Sequence, residues 1–239
     1  MANRYTVVAP DLRGFGDSDK PASGYDKRTV AEDIRQLVRH LGLREIDLVG
    51  HDIGMMVAYD YAAAHPQEVR RLAVAEVALP GLGLEELMDA AKYPKFWHFG
   101  FFAAPGVPEM LVAGREQMFL SYFVRHLAYD SYAVTEDDLG KYARRMAAPG
   151  ALRGGFEHYR AFPTDARNNE ENARTKLPMP VLAIGGDHSM AGQVARMMQP
   201  LANAVHPAVI ERCGHWVAEE QPARLAELLT DFLAGTPKD

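Results

Sequence analysis

Two carboxylates and an imidazole stand where a chain could use them for nucleophilic catalysis. The sequence passes from a short apolar run, 46–49, through Gly50-His51-Asp52-Ile53-Gly54 into an Ala- and Met-rich stretch, 55–65, which Pro66 ends. By period and length this is a buried strand, a tight turn and a helix. Glycine at both ends of G-x-D-x-G lets the backbone turn sharply and holds Asp52 out at the tip. A carboxylate there, beside a helix N-terminus, is stabilised as an anion and presented as a nucleophile. The same letters also read as a helix N-cap with no chemistry, a role that suits Asp. The rest of the chain has to decide between the two.

Two further groups follow in order. Asp187 comes after Gly185-Gly186, and His215 sits in the turn Arg212-Cys213-Gly214-His215-Trp216, each just beyond an apolar run. Nucleophile, acid, base is a workable order for a triad in which His215 is the general base and a carboxylate holds it. Glu76, near the far end of the run 69–79, is the alternative acid. Asp187 is preferred because the two glycines before it give its loop freedom to meet His215; the plain reading of Glu76 is a cap or salt-bridge carboxylate. Cys213 reads as a small buried filler.

The elements that must position these groups can be read along the chain. Residues 5–10 are β-branched and apolar and predict a buried strand. Residues 11–21, dense in Gly, Asp, Ser and Pro, are a loop; no Lys-Ser/Thr follows, so a phosphate cradle is disfavoured. Apolar residues at 30, 34, 37, 38 and 41 predict an amphipathic helix over 29–41, closed by Gly42. The run 69–79 is a strand. Strand–helix alternation then stops, and 80–175 reads as helices broken by Gly and Pro, with Phe96-Trp97-His98-Phe99-Gly100-Phe101-Phe102 at its heart. Helices are expected over 115–132 and 152–162. The strand pattern returns over 176–187 and again over 207–211, and 222–233 is a terminal amphipathic helix. The expected organisation is an α/β core in two parts, 1–79 and 176–239, with a helical cap, 80–175, inserted between them.

Composition bounds the function. The 239 residues suffice for one large domain, 48% hydrophobic and 24% charged, with mean hydropathy -0.22. A net charge of -6 and no basic run argue against nucleic acid. One cysteine excludes an internal disulfide and points to a reducing compartment. No signal-peptide core or membrane-length apolar run is present, so a cytoplasmic protein is expected.

With these residues in view, the sequence resembles the epoxide hydrolase and haloalkane/haloacid dehalogenase branch of the α/β-hydrolase superfamily. The resemblance rests on Val8-Ala-Pro-Asp-Leu-Arg-Gly-Phe-Gly-Asp-Ser-Asp-Lys-Pro21, Gly50-His-Asp-Ile-Gly54, Gly185-Gly-Asp187 and Gly214-His215, and runs over essentially the whole chain. It implies an α/β fold with a mostly parallel sheet and a helical cap. It also implies that Asp52 attacks carbon to form an ester, which water activated by His215 then hydrolyses. No cofactor or metal is implied. Haloalkane dehalogenases carry Trp after the nucleophile, and fluoroacetate dehalogenases carry Arg there and three residues on. Here these positions are Ile53 and Met56, which disfavours an acid substrate. Epoxide hydrolases use two cap tyrosines to donate hydrogen bonds to the opening oxygen. Tyr159 matches the second, and His98 falls at the first. His51 and Trp216 are expected to line the pocket, and the Ile53 N–H to contribute to an oxyanion hole. The expected partner is a small apolar epoxide or halide, and a homodimer is left open.

The same resemblance carries a departure. The family begins with about 30 to 50 further residues, an estimate from the strands a complete sheet needs. Among them is the loop whose N–H completes the oxyanion hole opposite Ile53, worth roughly 10²–10³ in ester hydrolysis. A longer native chain is the preferred explanation. The other is an impaired remnant that acts as a binding protein. His51-Asp52 also spells the motif of all-helical, metal-dependent phosphohydrolases, which the strand–helix context disfavours.

Overall fold

The computed structural model describes residues 3–235. Four parallel strands, β1 (Ile46–His51), β2 (Val69–Ala75), β3 (Val181–Gly186) and β4 (Val205–Ile210), form one sheet in the order β1-β2-β3-β4. Helix α1 (Lys27–His40) precedes β1, and α2 (Ile53–Ala64) links β1 to β2. Between β2 and β3 the chain makes a helical insertion. It consists of α3 (Leu84–Leu87), α4 (His98–Ala103), α5 (Val107–Val112), α6 (Glu116–Leu127), α7 (Glu136–Met146), α8 (Ala151–Arg160) and α9 (Phe162–Asn172). Helix α10 (Gln193–Met198) links β3 to β4, and α11 (Val217–Glu220) and α12 (Pro222–Leu233) follow.

Strand side chains alternate between two cores with a period of two. Leu72, Val74, Val181 and Ala183 join a large cluster with α1, α2, α10 and the insertion, while Ala73, Ala75, Leu182 and Ile184 meet Leu228 and Leu229 of α12. Both faces of the parallel sheet are therefore covered, which is why its strands read as continuous apolar runs. Helix α2 is buried at Ile53 and from Met55 to Ala62, so it shows no polar face. Helix α1 starts two residues earlier than its apolar pattern suggests because the Asp26 side chain accepts from the Thr29 N–H at 3.0 Å.

One expected element does not form. Residues 5–10 are open chain, with Val7 61% and Val8 48% exposed. A strand exists only with a ladder partner, and β1 pairs on one side alone, with β2. The strand expected over 69–79 stops at Ala75 because Glu76 turns out of it at φ 67°. β4 begins at Val205 and includes Pro207, tolerated because β4 is an edge. Among the described residues no helix is long and apolar enough to cross a membrane.

The insertion is tied to the core by a buried ion pair. Lys27 and Asp165, neither with any side-chain exposure, meet at 2.7 Å, and the Lys27 ammonium also donates to the His158 carbonyl at 2.7 Å. Asp165 accepts from the Lys27 backbone N–H as well. Burial pulls the ammonium pKa down and the carboxyl pKa up, each opposed by the partner's charge. Removing one member strands the other. Lys27→Met should therefore cost about 3–5 kcal/mol in urea unfolding, with the double change Lys27→Met/Asp165→Leu recovering part of it. A loss under about 1 kcal/mol for the single variant would refute the pair's role.

Candidate active site

The site is assembled where β1, β2 and β3 end. At the end of β1 the chain reverses through Asp52, held at φ 50°, ψ −124°, outside ordinary side-chain-bearing backbone. Gly50 makes the reversal geometrically feasible, since a Cβ there would lie 2.4 Å from the Gly54 carbonyl oxygen. Gly54, by contrast, has open space around its Cα, so only the first glycine of the pair is demanded by packing. The Asp52 side chain makes no capping hydrogen bond to α2. The plain N-cap reading therefore fails, and the carboxylate is free to face the site.

His215 Nε2 lies 3.7 Å from Asp52 Oδ2, and its Nδ1 lies 3.4 Å from Glu76 Oε2. Glu76 is fully buried, and its Oε1 accepts from the Gly186 N–H at 2.6 Å and the Met190 N–H at 3.4 Å. The preference for Asp187 as the partner of His215 is thus not what the geometry favours. Asp187 Oδ1 instead accepts from the Cys213 N–H at 3.0 Å, and its side chain is 32% exposed beside His188. That N–H holds the Asp187 carboxyl below its ordinary pKa. Asp187 braces the turn that carries His215, two residues upstream of the imidazole. Cys213 is buried, and burial pushes its thiol up to about 12, as a filler should behave.

His51 and Trp216 are not on the cavity wall where they were expected. Both pack on His215, with ring centroids at 4.6 Å and 4.7 Å. Burial, together with the charge of His215, drops His51 to about 4, so it is neutral at pH 7; its Nε2–H then donates to the His215 carbonyl at 2.8 Å. The Trp216 Nε1–H donates to the Val124 carbonyl at 2.8 Å, reaching into the insertion.

The cavity beside Asp52 holds about 20 Å³, room for roughly one water. Its wall includes His98, Phe96, Phe99, Phe123, Met190 and His215 and, among the described residues, no Lys or Arg. His98 is buried and its Nδ1 has no partner; burial drops it to about 4. Tyr159 on α8 is buried next to it, ring centroids 6.5 Å apart, and burial, with the nearby charge of Asp52, holds its phenol well above the ordinary value. Both are neutral near Asp52. Ile53, buried, is the first residue of α2 beside them. A connection the sequence did not reveal is the docking of loop 11–21 on α8. There His158 Nε2 meets the Arg13 carbonyl at 2.9 Å and Phe15 stacks on the His158 ring, which sits one residue before Tyr159.

The electrostatics put one imidazolium against two carboxylates. Burial alone would lower the His215 pKa, but Asp52 and Glu76 outweigh it and raise it to about 9. Burial likewise works against an ionised Asp52, yet His215 brings its pKa below the ordinary value.

Comparisons with known proteins agree with this architecture. A family profile described as alpha/beta hydrolase fold matches residues 2–222. The chain is 35% identical to a soluble epoxide hydrolase of Corynebacterium sp. (strain C12), over 98% of this chain and 82% of that protein. It is 29% identical to a fluoroacetate dehalogenase of Burkholderia sp, over 98% and 80%. Among solved structures, the epoxide hydrolase CorEH without ligand superposes with TM-score 0.89 at 33% identity, covering 99% of this chain and 84% of that one. Wild-type Cfl2 from Burkholderia cenocepacia gives 0.88 at 37%, covering 93% and 77%.

The raised His215 pKa has a definite pH signature. Its folded value of about 9 exceeds the ordinary 6.5, so its contribution to stability is complete below pH 6.5 and is lost as pH rises through 9. That contribution is about 3 kcal/mol. NMR titration of the imidazole should show a pKa near 9 that falls towards 6.5 or below in Glu76→Gln and stays put in Asp187→Asn. The reverse pattern would restore Asp187 as the partner.

Proposed function

Because the chain belongs to the α/β-hydrolase family, related to epoxide hydrolases and dehalogenases, we propose that it adds water to a small, neutral, apolar epoxide through an ester on Asp52. The observation that carries this reading is the Asp52 carboxylate at the strained elbow, with His215 Nε2 at 3.7 Å and neutral His98 on the same cavity wall. A carboxylate can attack an sp³ carbon; a neutral N–H and a phenol O–H can receive the charge that appears on oxygen.

In the first half-reaction an Asp52 oxygen bonds to a ring carbon and the ring C–O bond breaks. The departing oxygen takes hydrogen bonds from Tyr159 and His98, then the proton that His215 gives up. Esterification removes the Asp52 charge, one of the two that keep His215 protonated, so the imidazole loses its proton at this point and the proton count balances. In the second half-reaction neutral His215 takes a proton from water, whose oxygen attacks the ester carbonyl. The acyl C–O bond then breaks and the leaving oxygen takes the second proton of that water, which frees the diol and restores Asp52 as a carboxylate beside protonated His215. Glu76 holds the imidazolium, and the Ile53 N–H faces the carbonyl oxygen. Ile53 and Met56, both buried, give a substrate carboxylate nothing to bind.

A dehalogenase shares the first step, with halide in place of the ring oxygen, and one experiment separates the two. His215→Gln is exposed to panels of epoxides and alkyl halides and its intact mass is measured. The expected result is an adduct with the full epoxide mass, absent from Asp52→Asn. An adduct that keeps the carbon skeleton but lacks halogen would move the assignment to dehalogenase, and no adduct from cooperatively folding protein would sink the catalytic reading. Where the epoxide adduct forms, Tyr159→Phe should slow its formation by about 10²-fold; an unchanged rate would remove Tyr159 from the reaction.

A further inference from the structure

One carboxylate outside the triad gathers an unusual set of donors. Glu220 closes α11, and its two oxygens accept four backbone N–H groups. Gly214 donates to both, at 3.1 and 3.0 Å, and Trp216 donates at 3.0 Å. Tyr129 and Asp130 donate at 2.7 and 3.0 Å. The first two residues flank His215; the last two belong to the insertion, just beyond α6. The same junction is closed by the His215 N–H, which donates to the Leu127 carbonyl at 3.0 Å. It leaves no room at Gly214, where a Cβ would lie 2.5 Å from the Tyr129 nitrogen. The peptides on either side of the imidazole and the insertion that covers the cavity thus share one anion. Charge-assisted bonds of this kind are short and about twice as strong as neutral ones.

We infer that Glu220 is a positioning residue for ester hydrolysis, holding His215 in line with Asp52 while the insertion is seated; this rests on the function proposed above. The cavity has room for roughly one water, and its wall is built largely from the insertion, so room for a substrate must come from movement of those side chains or of the insertion itself. Any displacement of 127–130 from the core takes the Tyr129 and Asp130 donors from Glu220 and the Leu127 carbonyl from the His215 turn. Attack by Asp52 needs no base, whereas hydrolysis of the ester does. A fault in the clamp is therefore selective between the two half-reactions, which a general loss of stability is not.

The experiment is Glu220→Gln, with Met198→Ala in α10 as a buried-core control of comparable stability loss. Single-turnover kinetics should show ester formation changed by less than about 3-fold and ester hydrolysis slowed by roughly 10–100-fold. The ester should then be visible by intact mass at steady state. In Met198→Ala both rates should scale with the folded fraction. An equal fall in both rates of Glu220→Gln, or no fall, overturns the inference. A second readout needs no substrate. The titratable groups around His215 are Asp52, Glu76, His51, His98, Glu219 and Glu220 itself. In Glu220→Gln only the Glu220 charge is lost while Asp52 and Glu76, the two carboxylates that raise the imidazole, remain, yet a displaced imidazole should titrate below its wild-type value of about 9; an unmoved titration counts against the clamp. If His215→Gln forms no adduct with any substrate, the proposed reaction fails. The titration then decides the clamp on its own.

Discussion

The structure depends on a charge it can hold only by convergence. Glu76 has no side-chain exposure, and an ionised carboxylate so placed is costly unless several donors meet it. Its Oε1 finds them in the N–H groups of Gly186 and Met190, while its Oε2, with no hydrogen bond among the described residues, faces His215 Nδ1 at 3.4 Å as an ion pair. Those donors come from the end of β3, the loop after it and the turn after β4, while Glu76 itself leaves β2 in the left-handed region. Its own N–H completes the knot by donating to the Ile184 carbonyl at 3.2 Å. Satisfying this one group fixes the distance between three strand ends, and so fixes where an imidazole can stand relative to the tip of β1.

The close approach that results leaves marks in the backbone. Asp52, Glu76 and Arg212 are three of the four non-glycine residues with positive φ among those described, and each sits at a strand end beside His215. Strain of this kind costs of order 1–3 kcal/mol per residue and persists only where packing over-determines it. Gly186 shows how tight that packing is, since a Cβ on it would fall 2.3 Å from the Gly214 carbonyl oxygen. The pair Gly185-Gly186 was read from the sequence as freedom for Asp187 to move. In the fold it serves closeness: Gly186 lets β3 touch the His215 turn, and Gly185 lets the loop at Ala191 fold back against β3.

That reversal explains what the sequence could and could not reveal. The elbow, the His215 turn and the parallel strands around them are local patterns, set by glycine placement and apolar runs, and they appear where the pattern puts them. The choice between Glu76 and Asp187 is not local. Both follow strands and both carry a carboxylate, and only the fold decides which meets Nδ1 and which braces Cys213. Residues 5–10 fail for a related reason. Their β propensity is real, but a strand is a property of two segments, and β1 offers them no pairing. The placement of His51 and Trp216 behind the imidazole was likewise hidden, because sequence adjacency to Asp52 and His215 says nothing about which face of each ring meets the cavity.

The charge balance of the site bears on what can enter it. His51 and His98 are held neutral by burial, so among the described residues the imidazolium of His215 is the one cation on the cavity wall, against the carboxylates of Asp52 and Glu76. The surplus is negative, and it sits in a small, mostly apolar space where charges are poorly screened. An anionic substrate would meet that surplus with no guanidinium to offset it, since Ile53 and Met56 occupy the nearest turn of α2. A neutral electrophile meets no such penalty. In the proposed reaction negative charge would move off Asp52 and onto an oxygen near Tyr159 and His98, and that transfer would release His215 from one of the two carboxylates that keep it protonated. Under the proposed reaction the arrangement that disfavours an acid would also time the base: His215 would be a cation while Asp52 must stay ionised to attack, and would become a base once Asp52 has been consumed.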